Sequence, residues 1–109
     1  MQITSFLQDK QLTIALTGEI DHHGAKATLR MIEEKIQQYL PTLCILDFRG
    51  VSFMDSSGIA IVIHTLRRMT ELGGHLRLTK VPPQAGKVLR AAGIDRIVQL
   101  EGRDVYHEV

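Results

Sequence analysis

The sequence predicts a single α/β domain spanning residues 1–109. Its core is a mixed β-sheet, with an opening antiparallel hairpin, then parallel crossovers and packed helices. Three observations carry this. Apolar residues alternate with period two on both sides of a short "DK" connection. From Ala25 the pattern changes to helical spacing. "LCILDF" is a continuous apolar run, as expected of a strand covered on both faces in the middle of a sheet.

Taken in order, "QITSFLQ" places Ile3, Ser5 and Leu7 on one face, and "QLTIALTG" alternates Leu12, Ile14 and Leu16 with Thr13, Ala15 and Thr17. Together they read as an antiparallel pair. Ala25, Leu29, Ile32, Ile36 and Tyr39 or Leu40 mark the first helix, with Arg30 and Glu34 on its wet side and Pro41 as its stop. After "LCILDF", Ile59, Val62, Ile63, Leu66 and Met69 mark a second helix, closed by Gly73 and Gly74. "HLRLTKV" alternates again as a strand. Pro82 and Pro83 open a short helix with Ala85, Val88, Leu89 and Ala92 inside and Gly93 just past its end. Gly86 costs that helix about 1 kcal/mol against alanine, which makes it the weakest element. "RIVQL" is the last strand, and "GRDVYHEV" is a terminal helix or a frayed tail. The element order is β-β-α-β-α-β-α-β, with right-handed crossovers after the hairpin.

Composition narrows the function classes. A chain of 109 residues with 44% apolar and 23% charged side chains suits one soluble domain with a real core. A formal net charge of +1 predicts no broad attraction to nucleic acid or to an anionic membrane. The apolar runs are far shorter than the roughly 20 residues of a membrane span, and no signal-peptide pattern opens the chain, so the expected compartment is the cytoplasm. Cys44, the single cysteine, reads as buried core.

The chemistry-bearing stretch is "SFMDSSGIAIVI", residues 52–63, where Asp55, Ser56, Ser57 and Gly58 separate the central strand from the second helix. In open α/β sheets ligands and chemistry gather at this carboxyl edge. A helix cap is one reading, and it needs only one of the three polar side chains. A nucleophile is another, but the G-x-S-x-G elbow is absent, and nothing in the spacing of His22, His23 or His64 singles out a base. His64 reads as a surface or rim residue. No phosphate-binding glycine motif is present, and the adjacent His22 and His23 lack a second pair of metal ligands at usable spacing. Neither a metal nor a cofactor is expected. A modification site is the third reading: a phosphoryl group at a helix N-terminus meets free N–H donors and the positive end of the dipole, so the fold tolerates a charge that a docked partner would not.

"LTGEIDHHGA", "LDFRGVSFMDSSGIA", "LGGHLRL" and "AAGIDRI", in this order and covering nearly the whole chain, resemble the anti-sigma factor antagonist family built on the STAS domain, most of all its sporulation branch. The resemblance implies partner switching by a regulator that is not an enzyme. The unmodified protein binds an anti-sigma factor that is also a serine kinase of the GHKL type, and so frees the sigma factor. The kinase phosphorylates the first serine after the aspartate, Ser56 here, which ends binding, and a PP2C-type phosphatase restores it.

Carried over position by position, Glu19, Asp21, His22, Asp55, Ser56, Ser57, Gly58 and Ile59 form the implied partner-binding surface. Glu19, Asp21 and His22 are placed in the loop after the second strand, beside the DSSG stretch. Asp55 shapes the loop for the kinase, Ser57 caps the helix, and Gly58 lets a partner's backbone approach. Asp21 is either a contact to a basic residue of the kinase or the N-cap of the first helix. Ala60 stands where many relatives carry glycine. Two other functions compete: a STAS module of another phosphorylation-dependent stress-signalling system, and a small serine hydrolase using Ser56.

Overall fold

The hairpin that opens the fold turns at Asp9 and Lys10, both left-handed at φ 51° and 68°. This two-residue geometry follows the natural twist of the strands and sets Gln8 opposite Gln11. The computed structural model of the chain describes residues 1–102. Their order is β1 (Gln2–Gln8), β2 (Gln11–Ile20), α1 (Ala25–Tyr39), β3 (Leu43–Met54), α2 (Ser57–Glu71), β4 (His75–Val81), α3 (Pro83–Ala91), a 3-10 turn (Ile94–Arg96) and β5 (Gln99–Gly102).

The sheet runs β1-β2-β3-β4-β5. β1 is antiparallel to β2, and every later pairing is parallel. The predicted hairpin, crossovers and central position of the "LCILDF" strand are all present. One row of the core runs straight across three strands, Ile14 opposite Leu46 and Leu46 opposite Leu78. All three are fully buried, together with Ile32 and Ile36 of α1 and Ile61, Val62 and Met69 of α2. Each such side chain contributes about 1.5–3 kcal/mol by leaving water. Cys44 belongs to this core, as expected, and burial pushes its thiol up to about 12.

Three details of the sequence reading are corrected. The buried stripe of α2 is Gly58, Ile61, Val62, Thr65 and Met69, while Ile59, Ile63 and Leu66 are only half-buried at its flank. The stripe is rotated because Thr65, polar by composition, satisfies its hydroxyl on the Ile61 carbonyl at 2.8 Å and can go inside. The "RIVQL" strand is shorter than read. After the left-handed Gly93, the N–H groups of Arg96, Ile97 and Val98 bond back to Gly93 and Ile94 at 3.0 Å, so the chain extends only from Gln99. Ala92, expected inside α3, is instead exposed as its C-cap because the helix ends at Ala91, with Gly93 just beyond at φ 78°. The tail reading falls on residues 103–109, outside the described residues.

β3 outruns its neighbour. Its pairing with β4 ends at Asp47 opposite Thr79, whereas its pairing with β2 continues to Ile20 opposite Met54. Two register shifts interrupt that continuation, between Ala15 and Thr17 and between Gly18 and Glu19. Such bulges bend a strand and re-aim its end. The Asp47 carboxylate stabilises the first by accepting the Arg49 N–H at 2.8 Å. β3 thereby delivers residues 54–58 to the carboxyl edge of the sheet, in the gap between β2 and α3.

Candidate functional site at the β3–α2 junction

The junction is pinned along both edges of β3. On the β2 side, the Asp55 N–H donates to the Ile20 carbonyl at 3.0 Å. On the other side, where no strand pairs, the Gln84 side chain of α3 accepts the Met54 N–H at 2.9 Å and donates to the Met54 carbonyl at 2.8 Å. Gln84 went unnoticed in the sequence. Its only local signal is a polar residue in the first turn of a helix, and its partner lies thirty positions away.

The turn itself is organised by Asp55. Its carboxylate accepts the Ser57 N–H at 2.8 Å and the Ser57 hydroxyl, while its carbonyl accepts the Gly58 N–H at 3.1 Å. The Ser57 hydroxyl is therefore turned onto Asp55 and does not cap α2, which corrects the role expected of it. Both residue types are competent caps, but the N–H bonded here is Ser57's own, and it is the carboxylate two residues earlier that accepts it. Ser56 is the N-cap residue at φ −64° and ψ −15°, and its side chain makes no capping hydrogen bond. It is exposed. The chain thus spends the aspartate on the helix and leaves one serine hydroxyl facing solvent at the α2 N-terminus.

Hydrogen bonds to the charged form hold the Asp55 carboxyl below the usual carboxylate range. The Ser57 hydroxyl is the largest cause and the Ser57 N–H the next, with lesser help from the main chain and ring of His22. The His22 Nδ1 lies 3.9 Å from Asp55 Oδ2, and the ring, 75% exposed, lies against that of His23, tilted by 36° with centroids 4.1 Å apart. The structure thus brings His22 to the junction.

The other expected residues fall differently. Asp21 turns its carboxylate onto its own loop, accepting the His23 and Gly24 N–H groups at 3.1 and 3.2 Å, and its carbonyl receives the Ala25 N–H at the start of α1. Asp21 therefore organises its own loop and is not the N-cap of α1, which is Gly24 with no side-chain cap bond; the N-cap alternative for Asp21 is corrected. Glu19 does not sit in the loop: it is an exposed residue within β2, opposite Phe53. The bulges extend β2 pairing past the point where its alternation fades. Gly58 is buried, and a Cβ there would collide with the Met54 side chain. Its lack of a side chain makes room for the core and not for a visiting backbone, which corrects that expectation. Ile59 is half-buried at the rim. Phe53, 44% exposed beside Glu19, adds an apolar element that the reading missed.

Among the described residues no three His, Cys, Asp or Glu side chains converge as metal ligands would. No helix among them is long and apolar enough to cross a membrane.

Comparison with known proteins agrees with this geometry. Residues 4–108 match the STAS domain. The chain is 34% identical over 83 residues to the anti-sigma F factor antagonist of Lysinibacillus sphaericus, covering 76% of this chain and 71% of that protein. It superposes on the anti-sigma factor antagonist SpoIIAA in its unphosphorylated form with a TM-score of 0.78 at 26% identity, covering 99% of this chain and 98% of that one. Against the phosphorylated form of SpoIIAA, the Bacillus cell fate determinant, the TM-score is 0.70 at 26% identity, with 98% and 97% covered.

Proposed function

The chain belongs to the STAS domain family, and from that premise we propose that it is an anti-sigma factor antagonist whose binding is switched off by phosphorylation of Ser56. One observation carries the choice of residue. Ser56 is exposed at the α2 N-terminus with a hydroxyl that the helix does not use, because Asp55 does the capping.

In this reading the unmodified protein docks its junction on an anti-sigma factor that is a GHKL-type serine kinase, and the sigma factor is released. The Ser56 Oγ then attacks the γ-phosphorus of the kinase's ATP. The bond from that phosphorus to the ADP oxygen breaks, and the hydroxyl proton passes to a base of the kinase. The product carries roughly −1.5 to −2 of new charge at neutral pH. Within the chain that charge is accommodated, since it meets the N-terminal end of α2 and costs no existing cap. Across the interface it is not. A dianion beside an ionised Asp55 must be desolvated against a surface shaped for a neutral hydroxyl, and each 1.4 kcal/mol lost is about tenfold in affinity. A PP2C-type phosphatase hydrolyses the ester and resets the switch. The chain is here a substrate and regulator and not a catalyst, working in the cytoplasm on protein partners, with neither nucleic acid nor membrane involved.

The test mixes the purified chain, its cognate anti-sigma kinase and ATP, and maps the modification by mass spectrometry. Label on Ser56 is expected. Ser56→Ala should bind the kinase and stay bound when ATP is added, and Ser56→Glu should bind poorly. Label on Ser57 alone, or none, overturns the reading.

A further inference from the structure

We propose that Gln84 is a positioning residue for Ser56: its side-chain amide stands in for the missing strand neighbour at the end of β3, so that α3 sets how the hydroxyl is presented. This rests on the phosphorylation reading above and adds to it a residue outside the DSSG stretch.

In a strand the N–H and C=O of one residue point to the same side. Those of Met54 point away from β2, toward a side where β4 has already left the pairing at Thr79. Without a partner there, two main-chain groups at the entrance to the turn would be unmet or exchanged with water. The Gln84 amide supplies both partners at once, with an acceptor at 2.9 Å and a donor at 2.8 Å. Asparagine is one methylene shorter, and glutamate lacks the donor when ionised.

The support behind this amide is firm. Gln84 stands in the first turn of α3, whose buried face sets Ala85 of that turn and Leu89 of the next in the core. The Gly86 N–H closes the helix start on the Pro82 carbonyl at 2.8 Å. Tertiary packing therefore overrides the low intrinsic propensity of a helix containing Gly86. On the far edge of β3 the Asp55 N–H is held by Ile20. Met54 and Asp55, the residues immediately before Ser56, are thus clamped from opposite sides, and only the Met54 clamp depends on a single replaceable side chain. A misplacement at a reacting hydroxyl is felt chiefly in the transfer step, because in-line attack demands a defined approach.

The test compares wild type with Gln84→Met, which keeps the length of the side chain but can form neither bond, and with Gln84→Glu. Backbone amide exchange is measured by NMR on the isolated chain. Exchange at Met54 should quicken about tenfold in Gln84→Met, the equivalent of one net hydrogen bond, while the Leu46 amide in mid-strand is unchanged. Gln84→Glu should fall between, since it can still accept the Met54 N–H. With the cognate kinase and ATP, Gln84→Met should lower kcat for transfer to Ser56 about tenfold with KM altered less than threefold. Unchanged exchange at Met54 overturns the clamp, and faster exchange with unchanged kcat overturns its role in presenting Ser56. A wild-type chain that takes no label on Ser56 overturns the function reading, and with it the presenting role, while the exchange measurement still decides whether Gln84 holds the junction.

Discussion

Gly58 packs directly on Met54, so closely that a Cβ at position 58 would overlap the methionine's Sδ and Cγ. Met54 is wholly buried. Gly58→Ala should therefore destabilise the fold by about 1–3 kcal/mol through overpacking, even though alanine is worth up to about 1 kcal/mol over glycine in a helix. Urea unfolding measures this. The double variant Met54→Val with Gly58→Ala should lose less than the sum of the single losses, since the smaller side chain relieves the clash. Strict additivity would mean that the two residues do not compete for one space.

Leu40 closes α1 in the left-handed region, at φ 44° and ψ 58°, with its N–H on the Ile36 carbonyl at 2.8 Å and its side chain 46% exposed. A leucine held there costs roughly 1–2 kcal/mol that asparagine largely avoids. Leu40→Asn should raise stability by about 0.5–1 kcal/mol, because little packing is lost in exchange. Leu40→Ile should lower it. A higher denaturation midpoint in the isoleucine variant would contradict the strain.

The Cys44 thiol is fully buried, and burial pushes it up to about 12. An aromatic disulfide reagent at pH 8 should leave the native chain unlabelled and react readily once denaturant is added. The same displacement has a stability consequence. Above about pH 8.5 the unfolded thiol ionises and the folded one does not, so unfolding is favoured progressively as pH rises toward the folded value. Cys44→Ala should flatten this alkaline limb in unfolding experiments across pH 8 to 11. An equally steep limb in the variant would assign it to other groups.

What could be read from the sequence is what burial writes into local pattern. Leu12, Ile14 and Leu16 alternate because one face of β2 meets the helices, and "LCILDF" is continuous because β3 lies in the middle of the sheet, where every residue from Cys44 to Phe48 is buried. The DSSG stretch stood out as a polar break between two apolar segments. What could not be read was set by partners far away in the chain or by competition between equals. Asp55 and Ser57 can each cap a helix, and only the backbone path of the turn decides between them. Glu19 remains in β2 because bulges in β3 prolong the pairing. Gln84 acts on Met54 across thirty positions and leaves no periodic trace. Ile97 and Val98 look like strand residues, yet short-range bonds to Ile94 hold them in a turn.

The pH behaviour of the junction follows from Asp55. Its carboxylate accepts the Ser57 hydroxyl and the Ser57 N–H at 2.8 Å, with His22 adding a weaker contribution, and these bonds favour the charged form. A carboxyl held below its unfolded value contributes stability that is fully present above about pH 4, the ordinary range, and is lost as pH falls through the folded value. The turn should therefore be intact across neutral and mildly acidic conditions and loosen only below about pH 4. NMR titration of the Asp55 side-chain carboxyl carbon should give a midpoint below about 3.9 in the wild type. Ser57→Ala removes the largest cause and should move that midpoint back up, and His22→Ala should move it less. Ser57→Ala with an unmoved midpoint would show that the hydroxyl does not hold the carboxylate. At neutral pH Asp55 is ionised in either variant, so Ser57→Ala should weaken the order of the turn without removing the negative charge that stands next to a phosphorylated Ser56. Asp55→Asn removes that charge, and the phosphorylated form of that variant should retain more affinity for the kinase than phosphorylated wild type.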